Sequence, residues 1–218
     1  MFFVYILDLS VLSGILRITN IYLGDIMAKL YIPVLAGTTR EQRKSIYAAR
    51  LVAEVGNTFD DVETEVIDPK DYYFPGDGND PEGQDSRYTA VTERAEGFFI
   101  VFPEYNHSFP GTLKRMIDSE LKNYIHKPVA YGGVSAGPWG GVRGIESIIN
   151  PARELGLVST FTDMQFPHIN DLFDDNGTLL NEAYREYVKG AWTELIWMAK
   201  TLKYGRETIA SKHHTHTD

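Results

Sequence analysis

None of the 218 residues is cysteine. That absence excludes a disulfide scaffold, an iron–sulfur cluster, a cysteine nucleophile and a thiolate zinc site, and it is compatible with a reducing, cytoplasmic compartment. A surplus of base is missing too, because 21 Lys and Arg stand against 30 Asp and Glu for a net charge of −9. General nucleic-acid binders need the opposite balance to displace counterions from phosphate, so any anionic ligand must be held by local donors. No apolar run reaches the ~20 mostly uncharged residues of a spanning helix. Asp8 and Arg17 interrupt the apolar residues 1–26, and no Lys or Arg precedes them as a secretory signal requires. Residues 1–26 read as a dispensable or mis-assigned extension, ahead of a packed amphipathic addition or a membrane contact, and stable membrane insertion is not expected. There is no internal repeat, no GxxxxGK[ST] loop, and no GxGxxG after any apolar run. At 43% hydrophobic and 23% charged, the composition is that of a globular chain able to bury a sizeable core.

From residue 30 onward, short β-like runs alternate with stretches of helical period. LYIPVLA (30–36), VETEVI (62–67), GFFIVF (97–102), KPVAYGG (127–133) and LVSTF (157–161) give five strands. The third is apolar throughout, as a strand covered on both faces must be. Between them, Ile46, Ala49, Val52, Ala53 and Val55 share one face of a helix over 42–56. Leu113, Met116, Ile117 and Leu121 follow Pro110 at helical spacing, another helix is expected from about Val142 to Leu155, and Tyr184 to Leu202 carries the clearest apolar stripe. Such alternation builds βαβ units and a parallel sheet with helices on both faces. Pro33 removes a ladder donor from the first strand, which implies either a late start or a bulge. The domain is expected over 27–205, with a disordered His-containing tail over 206–218, whose His213, His214 and His216 read as solvated rather than metal-bound.

In open α/β sheets ligands sit at the carboxyl ends of the strands. After the first strand comes GTTREQRKS (37–45), with hydroxyls at Thr38, Thr39 and Ser45 and cations at Arg40 and Arg43. Arg40, Arg43 and Lys44 oppose the dipole of the helix they introduce, a conflict that a bound phosphate monoester resolves. PEYNHSFPG (103–111) after the third strand is stiffened by two prolines and suits a flat heteroaromatic ligand. Glu104 and His107 in it read as a helix-entry carboxylate and a surface imidazole rather than as an acid–base couple. GGVSAGPWGGVRG (132–144) has six glycines, letting backbone N–H groups approach a ligand. GVSAG (133–137) matches the GxSxG nucleophile elbow, but Gly137 to Gly141 delays the helix and no acid–His pair follows on separate strands. The acidic insert 68–85 does not match a calcium loop.

In order and spacing these elements resemble the NADPH-dependent FMN reductase family of flavodoxin-like proteins, which includes quinone, azo-dye and chromate reductases. Gly37, Thr38, Arg40 and Ser45 carry the first motif, Pro103 to Gly111 the second and Lys127 to Gly141 the third, within a resemblance covering roughly residues 28–200. Gln42 stands where many relatives have Gly. The resemblance implies a flavodoxin-like three-layer α/β/α sandwich with a five-stranded parallel sheet ordered 2-1-3-4-5. It implies FMN bound by Thr38, Arg40, Ser45, Pro103, Glu104, Tyr105, Asn106, Ser135, Ala136 and Gly137, with NADPH or NADH as co-substrate. Hydride would pass through FMN to a flavin, quinone or similar small-molecule acceptor, the flavin N5 carrying the chemistry, so neither a catalytic side chain nor a metal is expected. Tyr72, Tyr73 and Phe74 are expected over the ring or across an interface, and the assembly as a homodimer or homotetramer. The alternatives are a non-enzymatic flavodoxin-type electron carrier and, behind it, a serine hydrolase using GVSAG.

Overall fold

Pro33 breaks the first strand, and the sheet is arranged around that break. The computed structural model describes residues 29–75 and 85–214; the 1–26 extension, residues 76–84 of the acidic insert and His216 lie outside the described residues. The elements run β1 (Leu30–Tyr31), β2 (Val34–Ala36), α1 (Ser45–Gly56), β3 (Val62–Glu63), β4 (Val66–Ile67), α2 (Ser86–Arg94), β5 (Phe98–Pro103) and α3 (Gly111–Asp118). They continue as β6 (Pro128–Val134), α4 (Val142–Glu154), β7 (Val158–Ser159), β8 (Met164–Phe166), α5 (Ile169–Leu172) and α6 (Ala183–Thr208).

Every pairing between strands is parallel, in the order β4-β2-β5-β6-β7, with β8 beside β6 and β1 beside β3. On the β3–β4 side the ladder is unbroken, since Leu30, Ile32 and Val34 donate to Asp61, Glu63 and Glu65. On the β5 side Tyr31 and Pro33 accept from Glu96 and Phe99, so three residues face two. Of the two readings of Pro33, the bulge is the one observed, and it falls where the missing donor would have pointed. The structure therefore has short paired segments where five continuous strands were expected. The fifth strand line is interrupted between Ser159 and Met164, where Phe161 turns out to solvent.

The sheet is the middle of three layers. Phe99 and Val101 of β5 face α1 and α6, with Val52, Val188, Trp192 and Leu195. Phe98, Ile100 and Phe102 face the opposite layer, with Tyr88, Leu113, Met116, Ile145 and Ile148. Trp192 is wholly buried and donates from Nε1 to the Val52 carbonyl at 2.8 Å, tying α6 to α1. Trp197 and Tyr187 of the same helix lie on its exposed side, and Leu121 is exposed beyond the end of α3. Tyr72 and Phe74 pack on Tyr88, while Tyr73 is exposed. Helix α6 runs to Thr208, beyond residue 205, and a ring nitrogen of His214 lies 2.9 Å from one of His126. Among the described residues no group of three or more potential ligands could hold a metal, and no helix is long and apolar enough to cross a membrane.

Candidate functional site

The ends of β2, β5 and β6 converge on a cavity of about 350 Å³. It is lined by Arg40 to Ser45, Pro103 to Tyr105, Val134 to Ala136, and Ile169 and Asn170. Seven of the ten residues named from the sequence line it: Arg40, Ser45, Pro103, Glu104, Tyr105, Ser135 and Ala136. Thr38, Asn106 and Gly137 are not among the residues that line it. Thr38 is buried, with its Oγ1 3.3 Å from the Tyr105 hydroxyl and accepting from the Arg40 N–H. Asn106 forms, with His107, the tip of a two-residue turn; both have φ above zero, and Tyr105 and Ser108 exchange backbone bonds across it. The Gly137 carbonyl accepts from Ser135 Oγ at 2.8 Å and from the His168 N–H at 3.0 Å.

The first loop is electrostatically unfinished. Helix α1 begins at Ser45, three residues later than expected, and Gln42 in the intervening turn has a φ of 55°. Its N-cap, Lys44, makes no side-chain cap bond, and its first turn carries no acid. The first N–H groups of a helix have no partners within it, and here three cations crowd the same end. Arg43 is the telling one. Its side chain is only 8% exposed and pairs through Nη2 with Asp68. Nε and Nη1 are buried with no hydrogen-bond partner. An unmet buried donor costs about 1–3 kcal/mol, more on a charged group. Acceptor oxygens are what these two donors lack, and a phosphate monoester supplies them. Both atoms lie beneath the loop surface, so such a group reaches them only as the turn over 40–44 adjusts around it.

Arg40, the cation singled out in the sequence, is exposed and sits over the Tyr105 ring at 5.7 Å, joining the first loop to the second. The second and third loops meet the start of α4. Glu104 pairs with Arg143 at 2.5 Å and its side chain is only 5% exposed, so it is held as an ion-pair partner. Ser135 has its hydroxyl engaged on a backbone carbonyl two residues along, not on an imidazole, so the elbow reading has no base to activate it. Gly133 lets the third loop fold back: a Cβ there would lie 2.6 Å from the Gly140 oxygen. Sequence reasoning missed Ile169 and Asn170, which arrive at the cavity from the start of α5, and it did not separate Arg43 from its neighbours.

A second concavity, about 560 Å³, lies beside β8 and the start of α6, lined by Asp163, Gln165, Tyr184, Glu186 and Tyr187 among others. Burial, and then Glu146, push the Asp163 carboxyl up to about 6. The folded state thus holds this proton more tightly than the unfolded chain does. The resulting stabilisation is present below about pH 4 and is lost as pH rises through 6. Asp163→Asn is expected to stabilise the protein at pH 7.5 by about 1–2 kcal/mol, discounted for partial exposure. It should add nothing at pH 4, and thermal melts of both proteins at the two pH values check this.

Comparison with known proteins gives consistent relatives. The sequence profile described as NADPH-dependent FMN reductase matches residues 30–170. A 2-hydroxy-1,4-benzoquinone reductase of Burkholderia sp. is 31% identical over 101 residues, 44% of this chain and 55% of that protein. An NADPH azoreductase of Bacillus sp. (strain OY1-2) is 27% identical over 120 residues, 53% of this chain and 64% of that one. The match therefore spans between half and two thirds of these relatives. Among solved structures, FerB of Paracoccus denitrificans, a flavoenzyme NAD(P)H:(acceptor) oxidoreductase, superposes with a TM-score of 0.62 at 17% identity, over 79% of this chain and 98% of that one. An oxidoreductase of Corynebacterium diphtheriae gives 0.61 at 12% identity with the same coverage. These superpositions establish a shared flavodoxin-like α/β fold.

Proposed function

The chain belongs to the NADPH-dependent FMN reductase family, and from that premise we propose that it is an FMN-dependent NAD(P)H oxidoreductase acting on a flavin, quinone or azo acceptor. The observation that carries this reading is Arg43, whose two unpartnered buried donors stand at an uncapped helix N-terminus beside a cavity made by three loops. Arg43, Arg40, Ser45 and the first N–H groups of α1 would hold the phosphate. Pro103 to Tyr105 and Ser135 to Ala136 would flank the ring system and keep water from it. When bound, FMN supplies the redox chemistry itself, and the protein orients and shields it. Consistent with that division, Glu104 and Ser135 are committed to contacts within the protein. The acceptor assignment is supported by the quinone and azo substrates in the relatives' names. We place the protein in the cytoplasm as a homodimer or homotetramer.

Anaerobic mixing of the FMN-loaded protein with NADPH tests the reading. The visible flavin absorbance is expected to fall promptly and to return on adding a benzoquinone. A flavin band untouched by either nicotinamide coenzyme would favour the electron-carrier alternative instead.

A further inference from the structure

We propose that Arg143 is a positioning residue of this site, a clasp that fixes the turn after β5 against the first turn of α4. Arg143 does not line the cavity, so whatever it does there it does through the residues it holds. It holds two. Its backbone N–H donates to Glu104 Oε2 at 3.2 Å, its Nη2 pairs with Oε1 of the same carboxylate at 2.5 Å, and its Nη1 donates to His107 Nε2 at 2.8 Å. A guanidinium only donates, so the His107 nitrogen facing it is the acceptor of this contact.

The charges explain why this contact is directional. Helix α4 starts after Gly141, with no side-chain cap and no acid in its first turn. Glu104 arrives from the turn after β5 and takes the place of that missing acid, meeting both the helix N-terminus and the guanidinium. One helical turn on, Ser147 Oγ lies 2.9 Å from Ser108 Oγ. Residues 143 and 147 thus grip the turn at both ends, across the two left-handed residues Asn106 and His107 at its tip. That conformation is uncommon outside glycine, and the grip is what holds it. The turn's inner side, Pro103 to Tyr105, is cavity wall. Placement of that wall is therefore set from α4, outside the site.

The proposal rests on the FMN reading for the consequence of the clasp, but not for its existence, and the experiment separates the two. Arg143→Ala, Arg143→Lys and wild type are compared first without cofactor, by amide hydrogen exchange. Arg143→Ala is expected to speed exchange at Tyr105 and Ser108 by about tenfold or more while leaving α1 as protected as before. Each protein is then saturated with FMN. In Arg143→Ala the visible circular dichroism of the bound flavin should change and the KM for a quinone should rise about 5–20-fold, with Lys restoring part of both. Unchanged exchange at 105–108, or a bound-flavin spectrum and KM identical to wild type beside a lowered melting temperature, overturns the clasp. If Arg143→Ala proves too unstable to load, the pair Glu104→Gln with Arg143→Met removes both charges together and is read in the same way. Failure of wild type to take up FMN, with exchange at the turn still accelerated in Arg143→Ala, would sink the cofactor reading and leave the clasp standing.

Discussion

Arg43→Leu is expected to weaken FMN binding by about 2–4 kcal/mol, roughly 30- to 1,000-fold, with little change in thermal stability. One or two charge-assisted hydrogen bonds are at stake, each worth about 1.5–3 kcal/mol. Stability should barely move because two effects oppose. The substitution removes two buried donors that have no partner, which favours the variant, but it also strips Asp68 of its guanidinium. Asp68 keeps the Lys70 N–H at 3.0 Å, which limits that loss. Arg40→Ala should cost only about 0.5–1 kcal/mol of affinity, because an exposed cation gains little in water. Titration of both variants by quenching of flavin fluorescence checks the ranking. Riboflavin serves as the control ligand, and its affinity should be the same in wild type and Arg43→Leu.

Gly133→Ala is expected to damage both the fold and the site. The added carbon would lie 2.6 Å from the Gly140 oxygen and 2.9 Å from the Gly141 carbonyl carbon and oxygen. Those neighbours are backbone, so relief requires the whole 135–141 loop to lift off β6. Overpacking of this kind costs about 1–3 kcal/mol, a fall of roughly 2–12 °C in melting temperature for a domain this size. FMN affinity should fall with it, because Ser135 and Ala136 ride on the displaced loop. Gly137→Ala is the matched control: a Cβ there meets open space, and its apo melting temperature should equal that of wild type. Two alanines four residues apart thus separate a packing glycine from a permissive one.

Much of this was written in local sequence. GFFIVF could only be a strand covered on both faces, and β5 is that strand, with Phe98 to Phe102 essentially inaccessible. Cations ahead of a helix give the expectation of an anion site without any fold being known, because they oppose the dipole unless something negative arrives. What stayed hidden depends on partners far along the chain. Arg43 is distinguished from Arg40 and Lys44 by Asp68, 25 residues away, and no spacing rule reveals that. Arg143 meets Glu104 across 39 residues. Helix α2 escaped notice because SRYTAVTER buries only Tyr88 and Thr92, too little for a periodic signal. The interrupted fifth strand line was missed for the same reason: Met164, Gln165 and Phe166 are three residues, shorter than any alternation that can be recognised. Ile169 and Asn170 reach the cavity only because that short strand lies parallel to β6.

The central claim is that the first βα turn is built to grip a phosphate, and comparing FMN with riboflavin on the wild-type protein measures that grip alone. The two ligands share the ring system and the sugar chain, so their affinity ratio isolates the terminal group. FMN is expected to bind at least about 100-fold more tightly, corresponding to about 3 kcal/mol, with the advantage shrinking as salt is raised. Equal affinities would contradict the account, since the buried guanidinium at Arg43 would then have some other purpose.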